Sequence, residues 1–442
     1  MFKRISAGIL PSSAAVFLLA ASTFAADLER AAPEQAGLSS HRLARVGEAI
    51  DSYIEAGRLA GAVVGVASEN KIVYLETFGE LNPGEPMRED AIFRIASMTK
   101  PVTSTAIMML YEEGKLLLTD PVSKFIPEFA EPQVLVLNDP ADPSAGYTTE
   151  PARREITILD LLTHMAGITY RFWGMEPITT IYAEAGIYNG LAPTPGTIGE
   201  MVKKLGKLPL IHHPGEAYAY GLNTDVLGHV VEVASGMPLD QFFQERIFAP
   251  LGMTDTQFFI SDAQRARVSS LYIPGEDGSL TPASDETITW GPFVFGAALP
   301  YSDQRTFFAG GGGLSSTAAD YLRFMQMFLN GGTLDGARIL SPKSVELMSS
   351  NHIGELSVWD VYSPLAVGNL GDKFGLGFGI KSEAGQNELG SVGEYMWAGI
   401  FNTRFWIDPV ENMSIVMLRQ LGVRTPEIET KVHAAIYQAV TD

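Results

Sequence analysis

Both ends of this chain carry the same two kinds of element, and that pairing narrows the possible folds more than any other feature. Near the N-terminus, Leu43, Val46, Ile50 and Ile54 recur at helical spacing and stop at Gly57. An alternating run from Gly61 to Ala67 follows, then Glu69-Asn70-Lys71 as a turn, then Ile72-Val73-Tyr74-Leu75, so residues 61–78 predict a β-hairpin. Near the C-terminus, Asn402 to Ile407 and Met413 to Leu418 read as two strands joined by Asp408-Pro409-Val410-Glu411-Asn412. A closing helix is expected from about Pro426 to Val440. Antiparallel strands from both ends, each with its own helix, are expected to form one sheet with helices packed on it.

The middle of the chain has a different texture. Leu159, Leu161, Leu162 and Met165 precede Gly167, and Val226, Val230 and Val231 precede Gly236. Between such helical stretches, Asn138 to Pro151 reads as a Pro/Asp/Gly loop and residues 272–300 as another irregular segment. The expected organisation is an α/β domain from residues 27–86 and 301–442, with an all-helical domain at 87–300 inserted into it. Gly310-Gly311-Gly312-Gly313 marks the return. No Lys-Ser/Thr follows those glycines, so they do not make a phosphate loop; close backbone packing or a tight turn suits them better.

The chemistry concentrates at Ser97-Met98-Thr99-Lys100. After it, Val102, Ala106, Ile107 and Leu110 form a helical stripe, Pro101 is tolerated in the first turn, and Gly114 ends the pattern. A serine and a lysine three residues apart at a helix start lie one turn apart on one face. The lysine can take the serine's proton, and the free N–H groups of the first turn can face a developing oxyanion. Ser68-Glu69-Asn70-Lys71 has the same spacing, but it falls on the expected hairpin turn, where the lysine would not lie over the serine.

Composition removes several classes of function. With 31 Lys and Arg against 51 Asp and Glu, the net charge of −20 argues against nucleic acid or an anionic membrane as partner. There is no cysteine, so there is no disulfide, no Cys nucleophile and no Cys-ligated zinc. His212-His213 is the one adjacent histidine pair, and neighbours on a strand face opposite ways, so no metal is expected. Residues 1–25 read as a secretory leader: Lys3 and Arg4, an apolar stretch from Ile9 to Ala21, and Thr23-Phe24-Ala25 before the cut. A periplasmic or secreted location follows as an expectation. No G-x-S-x-G occurs, so no nucleophile elbow is visible.

Taken in order, Ser97-Met98-Thr99-Lys100-Pro101, Leu161-Leu162-Thr163-His164, Pro214-Gly215-Glu216 with Tyr220, Asp225-Val226-Leu227-Gly228, Pro250-Leu251-Gly252-Met253 and Gly311 to Asp320 resemble the serine β-lactamase and penicillin-binding-protein superfamily. The Ser-Met-Thr-Lys and Trp397-Ala398-Gly399 forms are most similar to the family VIII carboxylesterases, relatives of class C β-lactamases. The resemblance implies a β-lactamase/transpeptidase-like fold with the serine at the domain junction. It implies Ser97 as the acylated nucleophile, with Lys100 and Tyr220 sharing the proton transfers as a coupled pair whose base is not assigned. It implies an oxyanion hole from the N–H groups of Ser97 and Ile400, with Gly399 permitting close approach to substrate.

Two departures steer the expected substrate. Tyr220-Gly221-Leu222 lacks the asparagine that β-lactamases place two residues after the tyrosine, and Trp397 stands where they place lysine. A tryptophan offers an apolar wall in place of a charge for a carboxylate. Tyr170, Phe172 and Trp173 are candidates to line the pocket, with Tyr170 and Trp397 counted among the substrate-binding residues. The expectation is a serine hydrolase for small carboxylic esters, of short acyl chain, working through an acyl-enzyme with neither metal nor organic cofactor and no stable membrane partner. The alternative is a β-lactamase or a D-amino-acid peptidase or amidase of the same superfamily.

Overall fold

The computed structural model describes residues 28–441 apart from 276, 292, 359–371, 386 and 387. The expected leader, residues 1–25, lies outside them. Helix α1 (Ser40–Glu55) begins where the Ser39 hydroxyl accepts a hydrogen bond from Arg42 N, and the chain turns off beyond it at Gly57, φ +67°. Strands β1 (Gly61–Ser68) and β2 (Lys71–Asn82) pair antiparallel, with Ser68 opposite Lys71. Glu69 and Asn70 both have positive φ, the two-residue turn whose twist matches a hairpin. The second serine–lysine spacing is thus spent on a turn between strands, with no helix to stack the pair.

Helix α2 (Thr99–Glu112) carries the serine–lysine motif into the interior, and α3 (Asn223–Ser235) packs against it. Helix α4 (Ala318–Leu329) leads back to the sheet. Strands β3 (Tyr395–Gly399), β4 (Thr403–Asp408) and β5 (Met413–Leu418) then precede α5 (Pro426–Tyr437). The sheet runs in the order 29–30, β2, β1, β5, β4, β3, 379–380, 373–374, with Glu85–Pro86 beside β2. Its strands are antiparallel to their neighbours except Glu29–Arg30, which lies parallel to β2. Strands from near the two ends of the chain therefore meet at β1–β5, inside the sheet.

Alternation along these strands sorts their side chains into two layers. Val64, Val66, Ile415 and Met417 pack with Leu43, Val46 and Ile50 of α1 and Val432 and Ile436 of α5. Val63, Ala67, Val416 and Leu418 point the other way, toward Leu322 and Phe324 of α4 and the large core beyond. Because both faces are covered, β1 and β5 are buried at every position, which explains their nearly unbroken apolar sequences.

Three segments depart from the sequence reading. The loop expected at Asn138 to Pro151 belongs to a hairpin, Gln133–Leu137 with Tyr147–Pro151. The segment 272–300 holds two more, Tyr272–Pro274 with Leu280–Pro282 and Thr287–Trp290 with Phe293–Gly296. The region 87–300 is accordingly not all-helical. One strand of each hairpin, Tyr147–Pro151, Leu280–Pro282 and Thr287–Trp290, is mostly exposed and its partner is only three to five residues long, so there is little apolar alternation for a sequence to display. Helix α2 also exceeds its expected stripe: Thr99 through Leu110 are all buried, so the helix is enclosed on every side.

The C-terminal helix is pinned by charge as well as by packing. Glu429 is buried, and its two oxygens accept from Arg404 Nη1 of β4 at 2.7 Å and Arg419 Nη2, just past β5, at 2.6 Å. Burial alone would raise its pKa; the surrounding guanidiniums outweigh that and hold it below the usual carboxylate range. Glu429→Gln strands two buried cations without their shared counter-charge. It is expected to cost about 3–5 kcal/mol in urea-unfolding stability, whereas substitutions of exposed Glu346 should cost under about 1 kcal/mol.

Candidate active site

Ser97 sits on the tight turn Ala96–Met98 that feeds α2. Ala96 has φ +44°, an uncommon conformation for a residue with a side chain, and the turn is held from several directions. Ile95 N donates to Leu314 O at 3.1 Å, Leu314 N to Thr99 Oγ1 at 3.1 Å, and Tyr321 OH of α4 to Met98 O at 2.9 Å. The serine is thus fixed by a segment more than two hundred residues downstream.

Lys100, in the first turn of α2, is fully buried. Its Nζ donates to Ser97 Oγ at 3.1 Å, Tyr170 OH at 3.0 Å and Gly311 O at 2.7 Å. Three acceptors match the three donors of an ammonium, the condition for burying one. Behind it, Gly311 N donates to Asp225 Oδ1 at 3.0 Å, so one peptide group joins the buried carboxylate to the buried lysine. Burial pushes Asp225 up to about 6, against the opposing pull of Lys100 and the Gly311 N–H. A side chain at Gly311 would place Cβ 2.4 Å from Asp225 Oδ2, and one at Gly310 would place it 2.8 Å from Thr224 O. The glycine run serves close packing here.

Tyr220 lies on the loop entering α3. Its OH accepts from Trp397 Nε1 at 3.0 Å, and its ring centroid is 4.7 Å from Lys100 Nζ. The phenol that meets the lysine directly is that of Tyr170. Burial, with the Asp225 charge next, pushes Tyr170 well above the usual phenol range, so it stays protonated. Tyr170 stacks on Phe172 at 4.5 Å and meets Tyr220 edge-on at 5.6 Å. His164 lies against Tyr220, ring centroids 4.7 Å apart, with Nδ1 2.9 Å from Asn223 Nδ2. Burial, then the charge of Lys100, holds His164 well below the usual imidazole range, so it is neutral.

Ser97, Tyr170, Phe172, Trp173, Tyr220 and Ile400 border one pocket, joined by Asn189, Leu191, Gly311, Gly312, Ala398 and Arg424. Two residues expected at the substrate are placed otherwise. Trp397 is buried and does not border the pocket; in place of an apolar wall it supplies the N–H that holds the Tyr220 hydroxyl. The close approach that Gly399 permits is to protein: an added Cβ would lie 2.4 Å from Ile95 O and 2.2 Å from Thr403 Oγ1. Gly399 thereby seats the edge of β3 against the backbone that leads into Ser97. Gly221 likewise does more than shed a small side chain, since a Cβ there would lie 2.3 Å from Ile168 O.

Sequence reasoning gave no role to the Gly311 peptide, the Asp225 carboxylate or Arg424. Asp225 sits five residues beyond Tyr220, a spacing that hints at one helix start holding both, whereas Arg424 carries no local signal at all. His212 and His213 are both buried, and among the described residues no cluster of His, Asp and Glu could hold a metal ion. No helix among those residues is long and apolar enough to cross a membrane.

The chain matches the family model described as Beta-lactamase over residues 46–437. It is 37% identical over 396 residues to Protein Rv1367c of Mycobacterium tuberculosis (strain ATCC 25618 / H37Rv), covering 88% of this chain and 91% of that protein. It is 33% identical over 292 residues to Esterase EstB of Burkholderia gladioli, covering 64% of this chain and 69% of that one. Among solved structures, it is similar to EstCE1, described as a hydrolase with promiscuous acyltransferase activity. The TM-score is 0.76 at 26% identity, covering 90% of this chain and 99% of EstCE1.

Gly399→Ala should lower urea-unfolding stability by about 1–3 kcal/mol, because besides the Thr403 hydroxyl its Cβ would meet the Ile95 carbonyl, backbone that cannot rotate away. Gly57→Ala is the comparison: its Cβ would meet nothing within 4 Å, so only the left-handed backbone resists it, at a cost of about 1 kcal/mol.

Proposed function

This chain belongs to the Beta-lactamase family, serine hydrolases with esterase members, and from that premise we propose that it cleaves carboxylic esters of short acyl chain through an acyl-enzyme on Ser97. The observation that carries the reading is the hydrogen bond from a fully buried Lys100 to Ser97 Oγ. In its neutral form the same amine accepts the hydroxyl proton as Oγ forms its bond to the ester carbonyl carbon. Tyr170 and the Gly311 carbonyl keep Nζ aimed at that proton. The backbone N–H groups of Ser97 and Ile400, two residues that both border the pocket, receive the oxyanion. As the tetrahedral intermediate collapses, the C–O bond to the alcohol breaks and the proton passes to the leaving alkoxide through Tyr220, whose hydroxyl is presented to the pocket by Trp397. Water, or a second alcohol, then takes up the acyl group by the reverse path.

Support for an ester over a lactam comes from the same place. The position where lactamases carry lysine holds a tryptophan engaged with Tyr220, and Tyr170, Phe172, Trp173 and Tyr220 give the pocket an aromatic side. Secretion to the periplasm or the exterior belongs to this proposal through the leader-like residues 1–25.

A fluorophosphonate probe is expected to add once to the protein, by intact mass, and Ser97→Ala should abolish both the adduct and para-nitrophenyl butyrate turnover, while Ser68→Ala keeps them. An adduct that survives Ser97→Ala overturns the reading. Tyr170→Phe removes one of the three acceptors around the ammonium and should lower kcat/KM for that ester by about tenfold or more. A chromogenic cephalosporin turned over faster than the ester would reverse the choice of substrate class.

A further inference from the structure

We infer that the pocket in front of Ser97 is built for an ester bearing an anionic group, a carboxylate foremost, and that Arg424 binds that group. The inference rests on the ester reading above and names its substrate class.

Among the described residues, Arg424 is the one charged side chain on the border of this pocket; the others there are aromatic, aliphatic, glycine or neutral polar. Its charge is poorly matched within the protein. The nearest carboxylate is Glu429, 3.9 Å from Nη2, and both oxygens of that carboxylate are already engaged at 2.7 and 2.6 Å by Arg404 and Arg419. One negative charge thus faces three guanidiniums. Among the described residues no group accepts a hydrogen bond from Arg424, although a guanidinium offers five donors. Its side chain is only 26% exposed, so water does not fully replace the missing acceptors. Burial accordingly pulls its pKa below the ordinary arginine value.

The backbone that carries Arg424 is also held in place. Asn402 donates from Nδ2 to Leu421 O at 2.7 Å and Val423 O at 2.8 Å, and its Oδ1 accepts from Thr425 N at 3.1 Å. These bonds bracket Arg424 on both sides. Asn402 is buried in the turn two residues past Ile400, so the backbone proposed for the oxyanion and the cation share one anchor. Asn189, the other long polar side chain on the border, is spent on Val294 O and Leu191 N. On a chain of net charge −20, long-range steering disfavours an anionic substrate, so a local, partly desolvated cation is what such a substrate requires.

Two matched ester pairs test this, one for each side of the scissile bond. The acyl-side pair is para-nitrophenyl hydrogen glutarate against para-nitrophenyl pentanoate. The alcohol-side pair is para-carboxyphenyl butyrate against para-carbamoylphenyl butyrate, with Ser97→Ala as the background for all four. The readout is the ratio of kcat/KM, anionic over neutral, within each pair. In at least one pair this ratio should fall by about tenfold or more in Arg424→Gln and recover in large part in Arg424→Lys. A ratio unchanged by Arg424→Gln in both pairs, even if both members slow together, assigns Arg424 to Tyr220 or to the fold and overturns the inference. Ser97-dependent hydrolysis of the neutral esters would then leave the ester reading standing. If no ester in either pair is hydrolysed, both fall.

Discussion

A lysine ammonium with no exposure to solvent is the constraint around which the interior is arranged. Lys100 is tolerable there because three oxygens meet its three protons, and each oxygen comes from a different part of the chain: Ser97, Tyr170 and Gly311. Each of those groups is in turn held by something remote. The Gly311 peptide is fixed by Asp225, the Ser97 turn by Leu314 and Tyr321, and Tyr170 by the edge-on ring of Tyr220. Taking away any one acceptor leaves a buried charge short of a partner, so the site and the fold share their stability.

The sheet contributes position more than chemistry. Its central pair, β1 and β5, joins the two ends of the chain and is covered by helices on both faces. That rigid middle carries β3 and β4 toward the serine. Gly399 lets the end of β3 close on Ile95, and Thr403 Oγ1 donates to Ile95 O at 3.2 Å. The end of β3 thereby brings Ala398 and Ile400 to the border of the same pocket as Ser97. Trp397, two residues before Gly399, spends its one polar hydrogen on Tyr220. The sheet thus orients a phenol on the helical side of the site.

How much of this could be read along the chain depends on the range of the interaction. The hairpin at 61–78, the closing strands and their helices announce themselves because their side chains face one another at periods set by local geometry. The hairpins at 133–151 and 287–296 do not, since Tyr147–Pro151 and Thr287–Trp290 are mostly exposed and their partners are apolar runs too short to show a period. Ser97 and Lys100 were legible as a pair because one helical turn relates them. Tyr170 was legible as an aromatic near a pocket, but its hydroxyl on Lys100 was not, since seventy residues separate them. For Gly399, a resemblance explained why a small residue stands there but not what it packs against.

The amino-acid sequence by itself determined the fold class, the serine–lysine face at the start of one helix, and the absence of cysteine chemistry. Each of these follows from composition or from spacings within a turn or two of the backbone, and the order of the motifs along the chain reinforced them. Tertiary structure alone decided which phenol touches the lysine, that Trp397 serves Tyr220, that a peptide group links Asp225 to Lys100, and that Arg424 faces the pocket. Those contacts join residues tens to hundreds of positions apart. No local period encodes them, and only the packing of covered layers brings their atoms within a few ångströms.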